Sequence, residues 1–185
     1  MAANIWLISD MHLFHENMYR FTTYLGGPRV RERFANAAEG DAYMIEAWNA
    51  VVKPEDHVWN LGDVTLDRGS QDIWKLEKVM KQLNGHKRLV LGNHDHYDAR
   101  VYRNVGFEKV KGFHRHEGLV YSHVPLHPES IKDPRVLANV HGHIHANETY
   151  PGKYVNVSVE RINYQPVAFE EVVAMARRKV EVQHG

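Results

Sequence analysis

Carboxylate, imidazole and amide side chains recur in this sequence directly after apolar runs. Residues 90–99, VLGNHDHYDA, are the clearest example, because Asn93, His94 and Asp95 follow the end of an apolar segment. Buried polar side chains are costly unless a partner satisfies them, so we expect these to bind something. Four other apolar runs are followed by side chains of the same kinds, namely Asp10 and His12, Asp63, His123, and His143 and His145.

These residue types suggest a divalent metal site. Carboxylate, imidazole and amide oxygen ligands suit Mn²⁺, Fe²⁺, Zn²⁺, Co²⁺ or Ni²⁺. Asn93 and the six residues that follow the other runs are too many for one tetrahedral ion. They would suit two ions about 3.5–4 Å apart that share one carboxylate. Asp63 is the central acid of the set, and we expect it to be the shared ligand.

The elements that must position these side chains alternate in the first half of the chain. Residues 4–9, 54–63 and 87–93 are predicted strands, and residues 41–52 and 70–83 have the apolar spacing of amphipathic helices, the first with Asp41 as a possible N-cap. This order is typical of an α/β core. Sites in such sheets form at the carboxyl ends of the strands, which is where the candidate ligands fall.

The second half of the chain has a different pattern. Short β-rich runs are separated by turn residues, and residues 170–180 are predicted to form a closing helix. No internal repeat, low-complexity segment or linker interrupts the sequence. We therefore expect a single domain over residues 1–185 that contains two sheets.

The composition restricts the possible functions. The 185 residues include 23 Lys and Arg against 23 Asp and Glu, so the formal net charge is zero, and binding of long duplex nucleic acid or of an anionic membrane is disfavoured. The chain has no cysteine, which excludes thiolate chemistry and fits a reducing compartment. The N-terminus does not resemble a signal peptide, and no apolar run reaches transmembrane length. We expect a cytoplasmic protein.

Five short motifs, SDMH, LGD, GNHD, SHVP and HGHIH, occur in the order and approximate spacing found in the calcineurin-like metallophosphoesterases. The chain resembles that superfamily over roughly residues 5–160. Each motif is weak by itself, but five in order are specific. The opening pattern D-x-H-x-x-H-x-N, here Asp10, His12, His15 and Asn17, is most similar to compact prokaryotic and viral members.

The resemblance implies a four-layer αββα sandwich of two mixed β-sheets flanked by helices, with a dinuclear metal centre. His94 would contact the substrate phosphate and protonate the leaving oxygen, and Asp95 would orient His94. His15 and Asn17 would either bind substrate in the cleft or cap the loop after the first strand. One ion would be held by Asp10, His12, Asp63 and His145, and the other by Asp63, Asn93, His123 and His143.

The reaction that the resemblance implies is hydrolysis of a phosphoester. Two dications lower the pKa of bound water and offset the charge of the transition state, so that hydroxide attacks phosphorus in line with the leaving oxygen. We expect two divalent ions, Mn²⁺ in preference to Fe, Zn, Ni or Co, and a small nucleotide-type phosphodiester as substrate. The alternatives are a phosphomonoesterase, a nuclease acting on nucleic-acid ends, and a non-catalytic scaffold of the same fold.

One segment departs from a pattern within the superfamily. GDVTLDRG, residues 62–69, is similar to the GD-x-x-D-R-G of its protein phosphatases, in which the arginine touches phosphate. Here Asp67 and Arg68 lie one residue further from Asp63. We therefore do not assign Arg68 to the site. A monoester dianion would need such a cation more than a diester does, which favours the diester.

Overall fold

The chain is described by a computed structural model that covers residues 3–23, 26–66, 70–148 and 150–184. Four α-helices lie in these residues: α1 (Ala37–Val51), α2 (Ser70–Gln82), α3 (Ala99–Asn104) and α4 (Phe169–His184). The strands are β1 (Ile5–Ile8), β2 (His57–Asn60), β3 (His86–Val90), β4 (Phe107–Lys111), β5 (His114–His116), β6 (Leu119–Tyr121), β7 (Ala138–His141), β8 (Tyr154–Asn156) and β9 (Val167–Ala168).

The strands form two mixed sheets. The first has the order β4-β3-β2-β1-β9, and the second has the order β5-β6-β7-β8. In the first sheet β1 to β4 are parallel and β9 is antiparallel. In the second sheet β6, β7 and β8 are parallel and β5 is antiparallel. The carboxyl ends of neighbouring parallel strands therefore meet at one edge of each sheet.

The first sheet is buried on both faces. Successive side chains of a strand point to opposite faces, and neighbours such as Leu7 and Ile8, which are both fully buried, belong to different core clusters. Ile8 packs with residues of α1, α2 and α3. Leu7 packs with the second sheet and with α4. The predicted α/β fold, with two mixed sheets and flanking helices, is confirmed.

A smaller cluster lies beyond the second sheet. It is made by Val120, Tyr154 and Val136 together with Ile131, the last residue of a 3₁₀ turn. Among the described residues, this face is therefore covered by a 3₁₀ turn and a loop, whereas the outer face of the first sheet is covered by three helices.

The start of α1 differs from the prediction. The helix begins at Ala37, and Asn36 is its N-cap, with a side chain that accepts a hydrogen bond from Glu39 N at 3.0 Å. The Glu39 carboxylate in turn accepts a hydrogen bond from Ala35 N at 2.8 Å. The side chains of Asn36 and Glu39 thus bind backbone N–H groups that have no partner within the helix, in the manner of a capping box. The proposed cap, Asp41, lies inside the helix, is buried, and accepts from Phe14 N at 2.8 Å.

Candidate metal centre

The candidate ligands lie in loops that leave the carboxyl ends of five strands. The loops after β1 and β2 are joined by backbone hydrogen bonds, including Asp10 N to Gly62 O and His12 N to Asp63 O, both 3.0 Å long. The topology thus brings together residues far apart in sequence. Asp10 and His12 follow β1, Asp63 follows β2, Asn93 and His94 follow β3, His123 follows β6, and His143 and His145 follow β7.

Several of these residues have an unusual backbone conformation. Positive φ is uncommon outside glycine, although Asp, Asn and His tolerate it better than most residues. A cluster of such residues is typical of a functional site that the surrounding structure holds in place. The candidate ligands with positive φ are Asp10 (60°), His12 (45°), Asp63 (53°), His143 (70°) and His145 (51°).

The side chains form two groups that could each hold a metal ion. Asp10, His12 and His145 offer one ligand atom each, and these atoms lie within 4.8 Å of one another. Asp63, His123 and His143 form a second group by the same measure. Each group contains three of the four residues that the family resemblance implies for one ion.

Asp63 lies between the two groups. Its Oδ2 atom is 3.6 Å from Nε2 of His12 and 3.2 Å from Nε2 of His123. One carboxylate oxygen is therefore close to an imidazole of each group. This is the position that a shared ligand requires.

Asn93 joins the second group through its amide oxygen. The Oδ1 atom lies 2.9 Å from Nε2 of His123 and 2.8 Å from Nδ1 of His143. The second ring nitrogen of His123, Nδ1, lies 2.8 Å from the carbonyl oxygen of Leu61. A proton on Nδ1 satisfies that carbonyl, so Nε2, which faces the Asp63 and Asn93 oxygens, is the nitrogen that could bind a metal ion once its own proton is displaced.

The surroundings of His12 fit a metal ion. His12 is only 2% exposed, and neither of its ring nitrogens has a hydrogen-bond partner among the described residues. Burial, with a contribution from His145, lowers the pKa of His12 well below its usual value. A buried, neutral and unpartnered imidazole is costly, whereas a neutral imidazole is a common metal ligand. The donor set therefore fits divalent metal ions.

Asp63 and His123 influence each other's protonation. Burial raises the pKa of Asp63, but the hydrogen bond and the charge of His123 outweigh it and lower this pKa to about 2. Burial lowers the pKa of His123, but Asp63 and Asp10 raise it to about 9. In the metal-free protein the pair is therefore a carboxylate and an imidazolium, and metal binding at His123 must displace a proton.

A buried network supports the first group. Both carboxylate oxygens of Glu160 lie 3.3 Å from Nδ1 of His145, and Oε1 accepts a hydrogen bond of 2.8 Å from Nε of Arg31. Arg31 is fully buried and also donates to the carbonyl oxygens of Asp10, at 2.6 Å, and Met11, at 2.9 Å. A carboxylate behind a ligating imidazole fixes the orientation of the ring.

Arg31 and Glu160 were not predicted from the sequence. Burial raises the pKa of Glu160, but Arg31 and His145 lower it to about 2, so Glu160 is ionised. The two residues are separated by 129 positions and belong to none of the five motifs. A buried Arg needs a partner, but nothing in the sequence marked either residue as buried.

Asp95 has partners other than the expected one. Its Oδ2 atom accepts hydrogen bonds from Gly92 N at 2.7 Å and from Asp63 N at 2.9 Å, and its Oδ1 atom accepts from Val64 N at 3.2 Å. No hydrogen bond joins it to the His94 ring among the described residues. Asp95 therefore fixes the loops after β2 and β3 against each other, and the prediction that it orients His94 directly is not supported.

Two glycines allow the loops to approach the carboxylates. A Cβ atom on Gly92 would overlap the Asp63 carboxylate, and one on Gly142 would overlap the Asp10 carboxylate and the Ser9 hydroxyl. The Asp10 oxygens also accept from His143 N, both at 3.0 Å. Gly92 and Gly142 therefore provide the space that the Asp63 and Asp10 carboxylates occupy.

A cleft of about 480 Å³ opens beside the first group. We call it the His94 cleft. Within it, the His94 ring lies 5.5 Å from the His12 ring, and His94 N donates to Asp63 Oδ1 at 2.9 Å. Its lining includes His12, His15, Asn17, His94, His143 and His145.

His15 and Asn17 thus line the cleft. His15 is the residue before the 3₁₀ turn Glu16–Tyr19, and its side chain makes no capping hydrogen bond. The alternative that it caps the loop is therefore not supported for the imidazole. Asp67 and Arg68, the displaced pair after Asp63, lie outside the described residues.

Within the described ranges, the structure contains no helix that is both long and apolar enough to span a bilayer.

Comparisons with known proteins agree with this architecture. The family model described as calcineurin-like phosphoesterase matches residues 3–169. An uncharacterized protein of Methanocaldococcus jannaschii is 31% identical over 181 residues, which cover 94% of this chain and 92% of that protein. The gene 66 protein of Mycobacterium phage L5 is 33% identical over 93 residues, 50% of this chain and 40% of that protein.

A solved structure shows a similar fold. The crystal structure of a protein of unknown function from Aquifex aeolicus superimposes with a TM-score of 0.70 over 94% of this chain and 100% of that one, at 24% identity. At this identity the likeness concerns the fold alone. It matches the two-sheet arrangement described above.

Proposed function

The chain belongs to the calcineurin-like phosphoesterase family, and from this premise we propose that it hydrolyses small, nucleotide-type phosphodiesters with the help of two divalent metal ions. The observation that carries the proposal is the position of Asp63 between two groups of metal-capable side chains. A scaffold without catalysis would not need two adjacent ligand groups with a carboxylate between them.

We assign the ligands as the family resemblance implies. When bound, the ions would lower the pKa of water and offset the charge of the transition state. Mn²⁺ is the preferred ion, because carboxylate and amide oxygens suit it, whereas Fe, Zn and Ni are favoured by the imidazoles alone. Asp10, His12, Asp63 and His145 would hold one ion, and Asp63, Asn93, His123 and His143 the other.

His94 has the position of a proton donor to the leaving oxygen. Its backbone is held to the Asp63 carboxylate, and its ring lies in the His94 cleft beside the His12 ring. Asp95 contributes indirectly, because it fixes the loops that carry Asp63, Asn93 and His94. We expect His94 to hold a proton close to the ester oxygen that departs.

The lining of the cleft favours a diester. None of the described residues that line the His94 cleft is a lysine or an arginine. A monoester dianion carries one more negative charge than a diester and gains more from such a cation. The diester needs less compensation, so the two ions and His94 suffice.

A phosphomonoesterase is the second candidate, and one observation favours it. Arg115 is exposed and lines a neighbouring cleft together with Asn93 and His123. A guanidinium in that position is available to a phosphate bound at the second ligand group. The two candidates differ in which ester type is hydrolysed faster.

The experiment measures metal content and ester preference in the same preparation. The protein is stripped with a chelator, analysed for metal, and reconstituted with Mn²⁺. Hydrolysis of bis(4-nitrophenyl) phosphate, 4-nitrophenyl phosphate and short oligonucleotides is then compared. We expect no activity after stripping, recovery with two ions per chain, and a higher kcat/KM for the diester. Full activity with confirmed metal loss would refute the metal-dependent mechanism.

If kcat/KM were about tenfold higher for the monoester, which corresponds to about 1.4 kcal/mol in the transition state, the protein would be a phosphomonoesterase. Faster cleavage of oligonucleotide ends than of either nitrophenyl ester would favour a nuclease. No hydrolysis of any ester by the loaded protein would favour the scaffold.

A further inference from the structure

Two clefts border the ligand groups, and their linings differ. The second cleft has a volume of about 530 Å³ and is lined by residues that include Asn93, Phe113, Arg115, His123 and Val124; we call it the Phe113 cleft. The His94 cleft includes one exposed phenylalanine too, Phe21. Both clefts fall in the size range of small-molecule sites. Of these two clefts, the one lined by Phe21 contains His94, the proposed proton donor, and the Phe113 cleft does not.

Phe21 presents a flat apolar surface to the His94 cleft. Its side chain is 50% exposed, whereas most large hydrophobic side chains among the described residues are buried. Its ring lies 6.0 Å from that of His15 in an edge-to-face arrangement. A single exposed phenylalanine requires no explanation by itself, but this one is part of the wall of the cleft that contains the proposed proton donor.

Two polar side chains, His15 and Asn17, line the same cleft as Phe21. Nδ1 of His15 is buried and has no hydrogen-bond partner in the part of the chain that the structure describes. Asn17 is exposed and lines the same cleft. Imidazole and amide groups offer both donors and acceptors. Such groups beside an aromatic ring suit a planar ligand with polar edges, and the absence of cations from the described lining does not suit a second anion.

We propose that the His94 cleft binds the nucleobase of the substrate, with the base stacked on Phe21 and its polar edge facing His15 and Asn17. This inference rests on the proposed function for the position of the phosphate, which lies at the ligand groups. Every nucleobase has a π-face, so stacking on an aromatic side chain is tolerant of base identity. Phe21 is then a specificity-determining residue that distinguishes nucleotides from simple phosphate esters.

The test isolates the contribution of the base. Adenosine 5′-monophosphate and ribose 5-phosphate carry the same phosphate and differ by the base. Their dissociation constants are measured by calorimetry on the Mn²⁺-loaded protein, and their inhibition constants against bis(4-nitrophenyl) phosphate in parallel. We expect the wild type to bind the nucleotide about tenfold more tightly than the sugar phosphate.

Matched variants locate the base. In Phe21→Ala the dissociation constants of the nucleotide and the sugar phosphate should become similar. In Phe21→Trp the nucleotide should still bind more tightly. Phe113→Ala, in the neighbouring cleft, should not change the ratio of the two constants. Both phenylalanines are at least half exposed, at 50% and 60%, so their removal leaves the core intact, and thermal unfolding checks this. Equal affinities in the wild type, or loss of the difference in Phe113→Ala alone, would overturn the proposal.

Failure of the proposed function gives a different result. Calorimetry needs no turnover, so the contribution of the base is measurable even if no ester is hydrolysed. A protein that hydrolyses diesters but does not prefer the nucleotide would refute the base site alone. A protein that binds the nucleotide more tightly because of Phe21 but hydrolyses no ester would refute the proposed hydrolase activity and support the nucleobase site.

Discussion

Arg31 and Glu160 form a buried ion pair of 2.8 Å that joins the loop region after β1 to the 3₁₀ turn after β8. Neither side chain is more than 2% exposed. Each also contacts the candidate metal centre: Arg31 donates to the carbonyl oxygen of Asp10, and Glu160 lies against the His145 ring. The pair therefore links the orientation of one ligand to the position of another.

Removing the charge of Glu160 should weaken both the fold and the metal site. Glu160→Gln leaves the Arg31 guanidinium buried without a carboxylate, which costs about 3–5 kcal/mol in comparable buried pairs. It also removes the carboxylate behind His145, which typically lowers metal affinity about 10–100-fold. Thermal unfolding and Mn²⁺ titration measure the two effects, and Glu170→Gln on α4 is the control.

A double variant separates the two effects. Arg31→Met combined with Glu160→Gln removes the unpaired charge, so we expect it to recover part of the lost stability and none of the lost metal affinity. If metal affinity returned together with stability, Glu160 would act on the fold alone.

Substitution of Asp63 should affect both metal ions, whereas substitution of His145 should affect one. Asp63→Asn keeps an acceptor for His94 N but lowers the charge between the two groups, so we expect lower occupancy at both sites and a rate reduced by several orders of magnitude. His145→Ala should mainly lose the ion at the first group. Elemental analysis of both variants gives the stoichiometry. Two ions per chain and near-normal activity in Asp63→Asn would place the shared ligand elsewhere.

Loss of the His94 imidazole should matter most for poor leaving groups. Protonation of the leaving oxygen contributes about 10²–10⁴-fold when that oxygen is basic, and little for a nitrophenolate. We expect His94→Ala to slow alkyl diesters far more than nitrophenyl diesters. His96→Ala, in the same loop, is the control. An equal loss on both substrates would show that His94 binds the phosphate without donating a proton.

Asp41 should make the protein less stable at high pH. Burial raises the pKa of Asp41 to about 6, above its ordinary value of 3.8. Because the folded state disfavours the carboxylate, ionisation costs up to about 3 kcal/mol at pH 8. This cost falls as the pH drops below 6, and it disappears below 3.8, the pKa of the Asp41 carboxyl in the unfolded chain.

Asp41→Asn keeps an acceptor for Phe14 N and removes the charge. We therefore expect it to raise the melting temperature at pH 8 and to have little effect near pH 4. Glu46→Gln on the exposed side of α1 is the matched control. A variant that is destabilised equally at both pH values would show that the hydrogen bond outweighs the charge.

The positions of the candidate ligands could be predicted from sequence because they depend on local patterns. Apolar runs predicted the strands, polar residues marked their carboxyl ends, and parallel pairing placed Asp10, Asp63 and Asn93 at one edge. The superfamily and the fold class are confirmed. The assignment of each ligand to an ion, and the roles of His94, His15 and Asn17, stay predictions.

The supporting contacts could not be predicted, because they depend on the packing of distant segments. Arg31 and Glu160 meet only after the loop that follows β1 packs against the turn that follows β8. The Asp95 carboxylate is satisfied by backbone amides, which no side-chain motif reveals. The start of α1 was misjudged because Asp41 resembles a cap in sequence, whereas Asn36 and Glu39 provide the capping box.

The positive φ angles at Asp10, His12, Asp63, His143 and His145 restrict how these positions can change in evolution. Ligand chemistry admits mainly Asp, Glu, His and Asn, while a left-handed backbone favours Gly and is tolerated mainly by Asn, Asp and His. Few side chains meet both demands. Substitution by glycine would allow the left-handed backbone but would remove the ligand atom. Substitution by glutamate would keep a carboxylate but would strain the left-handed backbone. Only a few substitutions at these five positions therefore preserve both the ligand atom and the backbone conformation.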